Sequence, residues 1–390
     1  MGQELIYLDN ATSTRVAPEV VEAMLPYFTE CYAVASSQFS HTPGLEAKEA
    51  LDRARVAIAS RINAQPEEFI FTSGGTEANN LAIKGAAWAN RKKGNHIITS
   101  KIEHLSVLHP CRSLEREGFQ VTYLDVDHEG FIDLDQLEDA ITDETILVSI
   151  QWVNQEVGAI QDIAEIGRLC RERGVLFHTD AVLGLGWLPF DVQEANVDLA
   201  SFSAHKLHGP KGIGGLYVRS GVKLKRLLDG GYNEFELRAG TENIPGAVGF
   251  AKAVEIFTPE DAEYVRGLRD RLIESLLGIE GAELNGPRDG ARRHPGNVNV
   301  SFRFAEGESI ILHLDMKGIA AITGSACFSR ALEPSHVLLA MGYPHEWAHS
   351  SIRYTLSRYN TPEELDRAVE ATREVVERLR RISPIKRGGR

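Results

Sequence analysis

The sequence predicts an α/β protein whose larger domain contains a mostly parallel β-sheet with helices on both faces. Two observations support this prediction. Short apolar segments typical of strands alternate with amphipathic segments typical of helices from about residue 50 to residue 260. Such alternation is characteristic of βαβ units, whose crossover helices cover both faces of a parallel sheet. The chain has 390 residues, of which 43% are hydrophobic, and this length is sufficient for two domains with large cores.

The βαβ region is predicted element by element. Amphipathic helices are expected at residues 46–63 and 163–172. A further helix is expected to follow a glycine-containing turn at residues 73–77 and to continue through Ala89. Strands are expected at residues 68–72, 96–99, 120–124, 146–152, 176–178 and 199–202.

The end of the chain lacks the regular alternation of strands and helices and predicts a smaller α/β domain. Its expected elements are a strand at 297–302, a helix at 308–316 and a long charged helix at 362–382. The first dozen residues are expected to join it. We therefore predict a large domain formed by residues 15–260, and a small domain formed by residues 1–14 together with residues 261–390.

Composition and charge exclude several classes of function. The formal net charge of −13 argues against nonspecific binding of nucleic acid, so no direct nucleic-acid contact is expected. No apolar run reaches the length of a membrane span, and the first residues lack the features of a signal peptide, so a cytoplasmic location is expected. The four cysteines (Cys31, Cys111, Cys170 and Cys327) have no metal-ligand spacing with histidine, and no metal site is expected.

The segment that points most directly to chemistry is residues 201–215. Lys206 follows a Ser-x-His pattern and precedes a glycine-rich turn. A lysine amine forms a Schiff base with an aldehyde, which is the bond that enzymes using pyridoxal 5′-phosphate (PLP) require. The hydroxyl of Ser203 and the imidazole of His205 are suited to bind a phosphate beside it. Most loop lysines are simply solvated, so this segment alone does not establish that Lys206 binds a cofactor.

A second segment has the composition of a phosphate cradle. Residues 71–77 place two glycines and two hydroxyl side chains between a predicted strand and a predicted helix. Backbone N–H groups at a helix N-terminus bind phosphate, and the helix dipole assists. Gly75 and Thr76 are the candidates. The alternative is an ordinary capped helix start, with Thr76 or Ser73 as the N-cap, and this segment alone leaves both interpretations open.

Two further candidates follow predicted strands. Asp180 ends a predicted central strand, at the edge where α/β proteins place ligands, and its carboxylate is suited to pair with a protonated pyridine nitrogen. His104 also follows a strand and is suited to stack on a flat ring and to move protons near neutral pH. Taken singly, a turn aspartate and a hydrogen-bonded loop histidine are the commoner explanations.

Together these features are the anatomy of a PLP enzyme of the aspartate aminotransferase fold type. The chain resembles cysteine desulfurases of the NifS/IscS group, within the class V aminotransferase family, over nearly its whole length. The resemblance implies fold type I, with a seven-stranded, mostly parallel sheet in the large domain. The matching motifs lie at residues 6–11, 73–84, 203–212, 238–243, 323–335 and 348–354.

The resemblance implies a role for each cofactor-site residue. Lys206 would bind PLP covalently, His104 would stack on its ring and take part in proton transfer, and Asp180 would pair with the ring nitrogen. Gln155 would also lie in the cofactor region. The phosphate would be held by Gly75, Thr76, Ser203 and His205.

The resemblance also implies a substrate, a relay and a dimer. Arg353 would bind the carboxylate of L-cysteine through two parallel hydrogen bonds, and Asn154 would lie beside the substrate. Cys327 would attack the substrate sulfur, which gives alanine and a persulfide on Cys327. Thr241 would reach the phosphate of the neighbouring subunit, so a homodimer is expected. The sulfur would pass to an acceptor protein, such as an iron–sulfur scaffold or an enzyme that thiolates tRNA or DNA.

The residues around Cys327 fit that role independently. Apart from Phe328, its neighbours are small or polar, and a thiol on such a loop is readily exposed and ionised. A nucleophile that holds the sulfur covalently serves both its removal from the substrate and its delivery to an acceptor.

Three departures from the family pattern bear on activity. The family's glutamine three positions after the aspartate matched by Asp180 is Leu183 here, which cannot donate to the phenolic oxygen of PLP. The second of two paired asparagines is Gln155, and our hypothesis is that its longer amide replaces the missing donor. The family's Gly-Asn-Pro-Ser-Ser loop reads Ala-Val-Ala-Ser-Ser at residues 33–37.

Two alternatives remain open on the sequence. Leu183 and the altered loop favour a related PLP enzyme, such as a selenocysteine lyase, a β-eliminating lyase or an aminotransferase, whereas the cysteine motif argues against one. The other alternative is a non-catalytic subunit that retains PLP for stability.

Overall fold

A seven-stranded sheet organises the larger part of the molecule. The structure is a computed structural model that describes residues 5–324 and 334–382. The strands are β1 (Ile6–Tyr7), β2 (Phe69–Thr72), β3 (His96–Ser100), β4 (Gln120–Leu124), β5 (Thr145–Ser149), β6 (Leu176–Asp180), β7 (Leu199–Ser203), β8 (Gly214–Val218), β9 (Ala282–Leu284), β10 (Asn297–Phe302), β11 (Ile319–Ala320), β12 (Ile322–Thr323) and β13 (Ser351–Thr355).

The helices cover the sheets and link their strands. They are α1 (Pro18–Met24), α2 (Pro26–Thr29), α3 (Thr42–Arg61), α4 (Gly75–Asn90), α5 (Leu105–Arg116), α6 (Leu134–Ala140), α7 (Ile163–Arg173), α8 (Ile244–Ile256), α9 (Pro259–Leu277), α10 (Gly307–Asp315), α11 (His336–Ala340), α12 (His345–His349) and α13 (Pro362–Ile382). None of the helices in the described part of the chain is both long and apolar enough to cross a membrane.

The order of strands in the large sheet is β2-β8-β7-β6-β5-β3-β4. All neighbours are parallel except β8, which runs antiparallel to both β2 and β7. The predicted mostly parallel seven-stranded sheet is therefore confirmed. Because parallel strands end at the same edge, β3, β6 and β7 deliver Ser100, Asp180 and Ser203 to one side of the sheet.

A second sheet is formed by residues near the end of the chain. It has four antiparallel strands in the order β12-β13-β10-β9. The N-terminal strand β1 pairs with β11 and so joins this part of the molecule. Helix α8 packs on α3, whereas the next helix, α9, packs on α13. The predicted division at residue 260 falls within the first turn of α9, and the division into domains stays a prediction.

Most predicted elements agree with the structure, and the differences have local causes. The segments at 297–302 and 362–382 have the predicted bounds. Helix α3 begins four residues before the predicted start because Pro43 lies in its first turn and the His41 ring accepts the N–H of Gly44. Strand β5 ends at Ser149 rather than at residue 152.

Candidate active site

The predicted cofactor residues line one cavity of about 240 Å³ at the carboxyl edge of the large sheet. Eight of them face it: Gly75, Thr76, His104, Gln155, Asp180, Ser203, His205 and Lys206. These residues come from separate segments, and only the parallel sheet brings them together. Asn154, Thr241 and Arg353 lie outside its lining. Cys327 lies outside the described residues.

The start of α4 forms one end of the cavity. Its N-cap residue is Gly74, with φ of 152°, and no side chain caps the helix. The alternative of a helix capped by Thr76 or Ser73 is therefore wrong, and the first N–H groups of α4 are available to an anion. The hydroxyl of Ser203 is buried beside them and has no hydrogen-bond partner in the described structure. A phosphate would satisfy both sets of groups.

Lys206 ends a short 3₁₀ turn that follows β7. Its amine donates to the backbone oxygens of Ala11 and Thr12, the latter at 2.8 Å. Burial, with a smaller effect from the nearby Arg353 guanidinium, lowers the pKa of Lys206 to about 8. A larger fraction of this amine is therefore neutral and nucleophilic at pH 7 than for an exposed lysine.

Asp180 is the last residue of β6, as the sequence predicts. One carboxylate oxygen accepts the backbone N–H of Val182 at 3.0 Å, and the other accepts the side-chain amide of Asn79 at 2.7 Å. These donors fix the direction in which the carboxylate faces the cavity.

His104 is the N-cap of α5. Its Nδ1 accepts the backbone N–H of Ser106 at 3.1 Å and lies 2.7 Å from the hydroxyl oxygen of the same residue. Burial is the main cause that lowers the pKa of His104, and the positive charge of Lys206 lowers it further, whereas Asp180 opposes both. The ring is therefore expected to be neutral at pH 7.

Arg353 lies on β13 and is engaged by the N-terminal segment. Its Nη2 donates to Asp9 Oδ1 at 3.0 Å and to Thr12 Oγ1 at 2.9 Å, and its Nη1 donates to the Gln155 carbonyl at 2.9 Å. Nε is buried without a partner in the described structure. A substrate carboxylate that takes two parallel hydrogen bonds would therefore use Nε and displace one acceptor from Nη2.

Asn154 and Thr241 occupy different surroundings from the cavity residues. Oδ1 of Asn154 accepts the N–H groups of Glu156 and Val157, and its Nδ2 donates to the Ile102 carbonyl at 3.0 Å. The side chain thus holds a backbone turn, and it lines a small adjoining cavity that Lys206 shares. Thr241 is exposed in a separate surface groove.

The two family departures at the cofactor site both lie in the cavity wall. Leu183 is buried, and its side chain offers no hydrogen-bond donor. Gln155 lines the same cavity. Our hypothesis is that the Gln155 amide donates to the phenolic oxygen of PLP in place of the family's glutamine, and this role stays a prediction.

Five polar residues at or near the cavity were not predicted from the sequence. Asn79, Ser106 and Gln151 line the cavity itself, whereas Glu103 and Glu156 are buried outside its lining. Burial raises the pKa of Glu103 to about 8, and its carboxyl accepts the N–H of Gln151 and the hydroxyl of Ser100. A signal existed for Asn79 and Ser106, since each lies within the first two turns of a helix that follows a cavity-edge strand.

The fold and the site together define the class of protein. A mostly parallel α/β sheet carries a half-buried lysine, a strand-end carboxylate, a histidine with a lowered pKa and an uncapped helix N-terminus around one cavity. This is the architecture of fold type I transferases. The model of the family Aminotransferase class-V matches residues 6–368.

Known proteins resemble the chain over nearly its full length. A protein of Clostridium botulinum described as "Cysteine desulfurase IscS" is 50% identical over 384 residues, which is 97% of this chain and 96% of that protein. A solved "NIFS-LIKE PROTEIN" superposes with a TM-score of 0.89 at 37% identity, covering 96% of this chain and 99% of that one. A structure described as "SspA in complex with cysteine" gives a TM-score of 0.82 at 37% identity, covering 91% and 100%.

The chain therefore belongs to the class-V aminotransferase family and, within it, to the NifS/IscS group of cysteine desulfurases. Enzymes of this family depend on PLP.

Proposed function

We propose that this chain converts L-cysteine into L-alanine, using PLP held by Lys206, and passes the sulfur through Cys327 to an acceptor protein. The observation that carries the proposal is the single cavity in which Lys206, Asp180, His104 and the uncapped start of α4 meet. The carbon–sulfur bond of cysteine breaks, and its electron pair stays with carbon. A sulfur–sulfur bond forms on Cys327, and the proton that the Cys327 thiol loses ends on the methyl group of alanine. The step therefore needs no external oxidant or reductant.

The residues present fit PLP. Ser203 and the first N–H groups of α4 would hold its phosphate, together with Thr76 and His205, and Asp180 would face its ring nitrogen. When bound, PLP supplies an electron sink for bonds at the α-carbon of the substrate.

Residues of the chain bind the substrate, accept a proton and exclude water. Arg353 binds and orients the substrate carboxylate once its Nη2 exchanges an acceptor from the N-terminal segment. The neutral amine of Lys206 accepts a proton at Nζ, which its lowered pKa of about 8 permits. Leu183 and Val182 line the wall and exclude water from the reacting centre.

A homodimer fits the exposed groove that contains Thr241. This groove is lined by residues from the segments 35–38 and 231–235, by one side of α3 between Lys48 and Arg55, and by Thr241 and its neighbours. Tyr232 in this lining is 83% exposed, and Phe39, which follows the lining residue Gln38 in the chain, is 93% exposed. Large aromatic side chains at such exposure favour burial against a second copy of the chain. That arrangement would bring Thr241 toward the phosphate of the neighbouring subunit.

The decisive experiment measures alanine formed from L-cysteine with a reductant present, in wild type and in Cys327→Ala. Alanine from wild type that disappears in the variant supports a desulfurase with Cys327 as the relay. Cys31→Ala is the matched control, because Cys31 lies in the segment between α2 and α3, outside the cavity lining, and should keep full activity. No alanine from wild type, despite bound PLP, would refute the proposal.

A direct lyase or aminotransferase is the second candidate, and the donor-free Leu183 in the cavity wall is the observation that favours it. Full turnover by Cys327→Ala would support this alternative, because direct product release needs no sulfur relay. A yellow protein that is inert toward many amino acids would instead indicate a PLP-binding subunit. If the desulfurase assignment holds, pull-down of a persulfide acceptor would distinguish an iron–sulfur scaffold from a thiolation enzyme.

A further inference from the structure

An unbroken series of hydrogen bonds connects the two side chains that flank the cofactor cavity. His104 Nδ1 lies 2.7 Å from Ser106 Oγ, which lies 2.8 Å from Asn79 Nδ2, which lies 2.7 Å from Asp180 Oδ2. Asn79 is 1% exposed, and Ser106 is 7% exposed. Two helices and the end of one central strand therefore meet in a buried polar contact.

The chemistry of the acceptors fixes the direction of the Asn79 amide. A carboxylate accepts hydrogen bonds and donates none, so the group 2.7 Å from Asp180 must be the NH₂ of Asn79. The same NH₂ gives its second hydrogen to Ser106 Oγ. Because Asn79 donates at both ends, the series cannot carry a proton from Asp180 to His104, and its effect is to hold the groups in place.

The same reasoning fixes the proton on His104. Nδ1 faces the backbone N–H of Ser106 at 3.1 Å, and an N–H group can only donate. Ser106 Oγ already accepts from Asn79, so its own hydrogen is free to point at Nδ1. Two donors converge on Nδ1, which must therefore be the unprotonated nitrogen, and the single proton of the neutral ring is on Nε2.

We propose that Ser106 and Asn79 are positioning residues that hold His104 as the neutral tautomer protonated at Nε2 and fix its placement relative to Asp180. The roles of His104 and Asp180 toward PLP and substrate rest on the proposed function, whereas the hydrogen-bond series does not. In this arrangement His104 presents a hydrogen-bond donor from Nε2. Proton uptake by the neutral ring takes place at Nδ1 and requires this nitrogen to lose its contact with the Ser106 N–H, so Lys206 is left as the better base.

Charged and titratable groups from all sides act on His104. Asp180 on β6 raises its pKa, whereas burial, Lys206, His336 on α11 and His109 on α5 lower it. Removing a donor to Nδ1 takes away an interaction made only with the unprotonated nitrogen. The Ser106→Ala variant should therefore show a higher pKa for His104 than wild type.

The test is ¹⁵N NMR of the apoprotein with labelled histidine, which does not depend on turnover. The protein has 13 histidines, and the signal missing from His104→Gln assigns the ring. At pH 7 the wild-type ring should show an unprotonated Nδ1 and a protonated Nε2. In Ser106→Ala, which keeps the backbone N–H at position 106, Nδ1 of the neutral ring should stay unprotonated and the titration should move to higher pH. Ser106→Thr, which keeps the hydroxyl, should restore the wild-type titration.

Asn79 is tested through cofactor affinity. Asn79→Ala removes the hydrogen bonds that Asn79 donates to Asp180 and to Ser106. PLP binding by the apoprotein should therefore weaken about tenfold. Asn79→Asp should weaken it more, because a second carboxylate then faces Asp180 at hydrogen-bond distance.

Three results would overturn the proposal: a proton on Nδ1 of the neutral ring in wild type, no change in the His104 titration in Ser106→Ala, or unchanged PLP affinity in both Asn79 variants. A protein with the expected NMR pattern but no desulfurase activity would refute only the proposed function.

Discussion

Replacing Glu156 with glutamine is expected to stabilise the protein above pH 7 and to change little below pH 5. Glu156 is 4% exposed, and one oxygen of its carboxyl, Oε1, is buried without a hydrogen-bond partner among residues 5–324 and 334–382. Burial raises the pKa of Glu156 to about 7, against the opposing effects of a Ser335 hydrogen bond and the charge of Arg353. The folded protein therefore resists ionisation of a group that ionises freely when unfolded.

The magnitude follows from proton linkage. Glu156 has an ordinary pKa of 4.5 and a folded-state pKa of about 7. Between these values the folded protein binds more protons than the unfolded chain, so the free energy of unfolding falls as the pH rises from about 4.5 to about 7. The loss above this window is about 3 kcal/mol, at 1.36 kcal/mol for each unit of pKa. Glutamine keeps the shape and cannot ionise, so Glu156→Gln should recover most of this free energy.

The assay is urea-induced unfolding at fixed protein concentration, at pH 5 and at pH 8.5. The variant should exceed wild type in unfolding free energy by up to about 3 kcal/mol at pH 8.5 and by much less at pH 5. Glu19→Gln, an exposed position on α1, is the control and should be neutral at both pH values. A variant that is less stable than wild type at pH 8.5 would refute the reasoning, since it would mean that the carboxylate is stabilised where it lies.

Three further predictions concern ligand binding. Gln155→Leu should weaken PLP binding about tenfold by removing the proposed donor, and adding Leu183→Gln should restore it; equal affinities in all three proteins would contradict the assignment. Asp9→Asn should lower KM for cysteine about fivefold, because Arg353 loses a charged competitor for the substrate carboxylate, whereas a raised KM would make Asp9 an orienting group. PLP uptake by the apoprotein should accelerate up to about pH 8 and then level off, because Lys206 loses its proton with a pKa of about 8; acceleration that continues to pH 10 would contradict this.

The repeating pattern of the sequence was sufficient to predict the parallel strands, because β3, β5, β6 and β7 are almost entirely buried and each carries a short apolar run. Strand β8 escaped element-by-element prediction. Its two glycines favour a turn in isolation, yet the structure needs them in a strand. A Cβ atom on Gly215 would lie 2.0 Å from the Phe69 ring, and one on Gly214 would lie 2.4 Å from the Phe202 carbonyl oxygen. Such a requirement depends on tertiary contacts and has no local signature.

The candidate site divides in the same way. Lys206, His104 and Asp180 lie in recognisable motifs at strand ends, so their placement at one edge follows from the topology. Asn79 and Ser106 meet only because α4 and α5 pack against each other, and their polar contact depends on the register of two helices. Helix packing of this kind is not encoded by spacing along the chain.

The N-terminal segment that follows β1 has a consequence for ligand affinity. Its backbone oxygens at Ala11 and Thr12 accept the Lys206 amine, and the side chains of Asp9 and Thr12 accept the Arg353 guanidinium. Cofactor and substrate therefore compete with the chain itself for the two cationic groups on which they depend. The affinity measured for either ligand is the difference between the new contacts and those given up. Because one short segment holds both groups, release of Lys206 by the cofactor loosens the segment that also restrains Arg353, and cysteine should bind more tightly to the PLP-loaded protein than to the apoprotein.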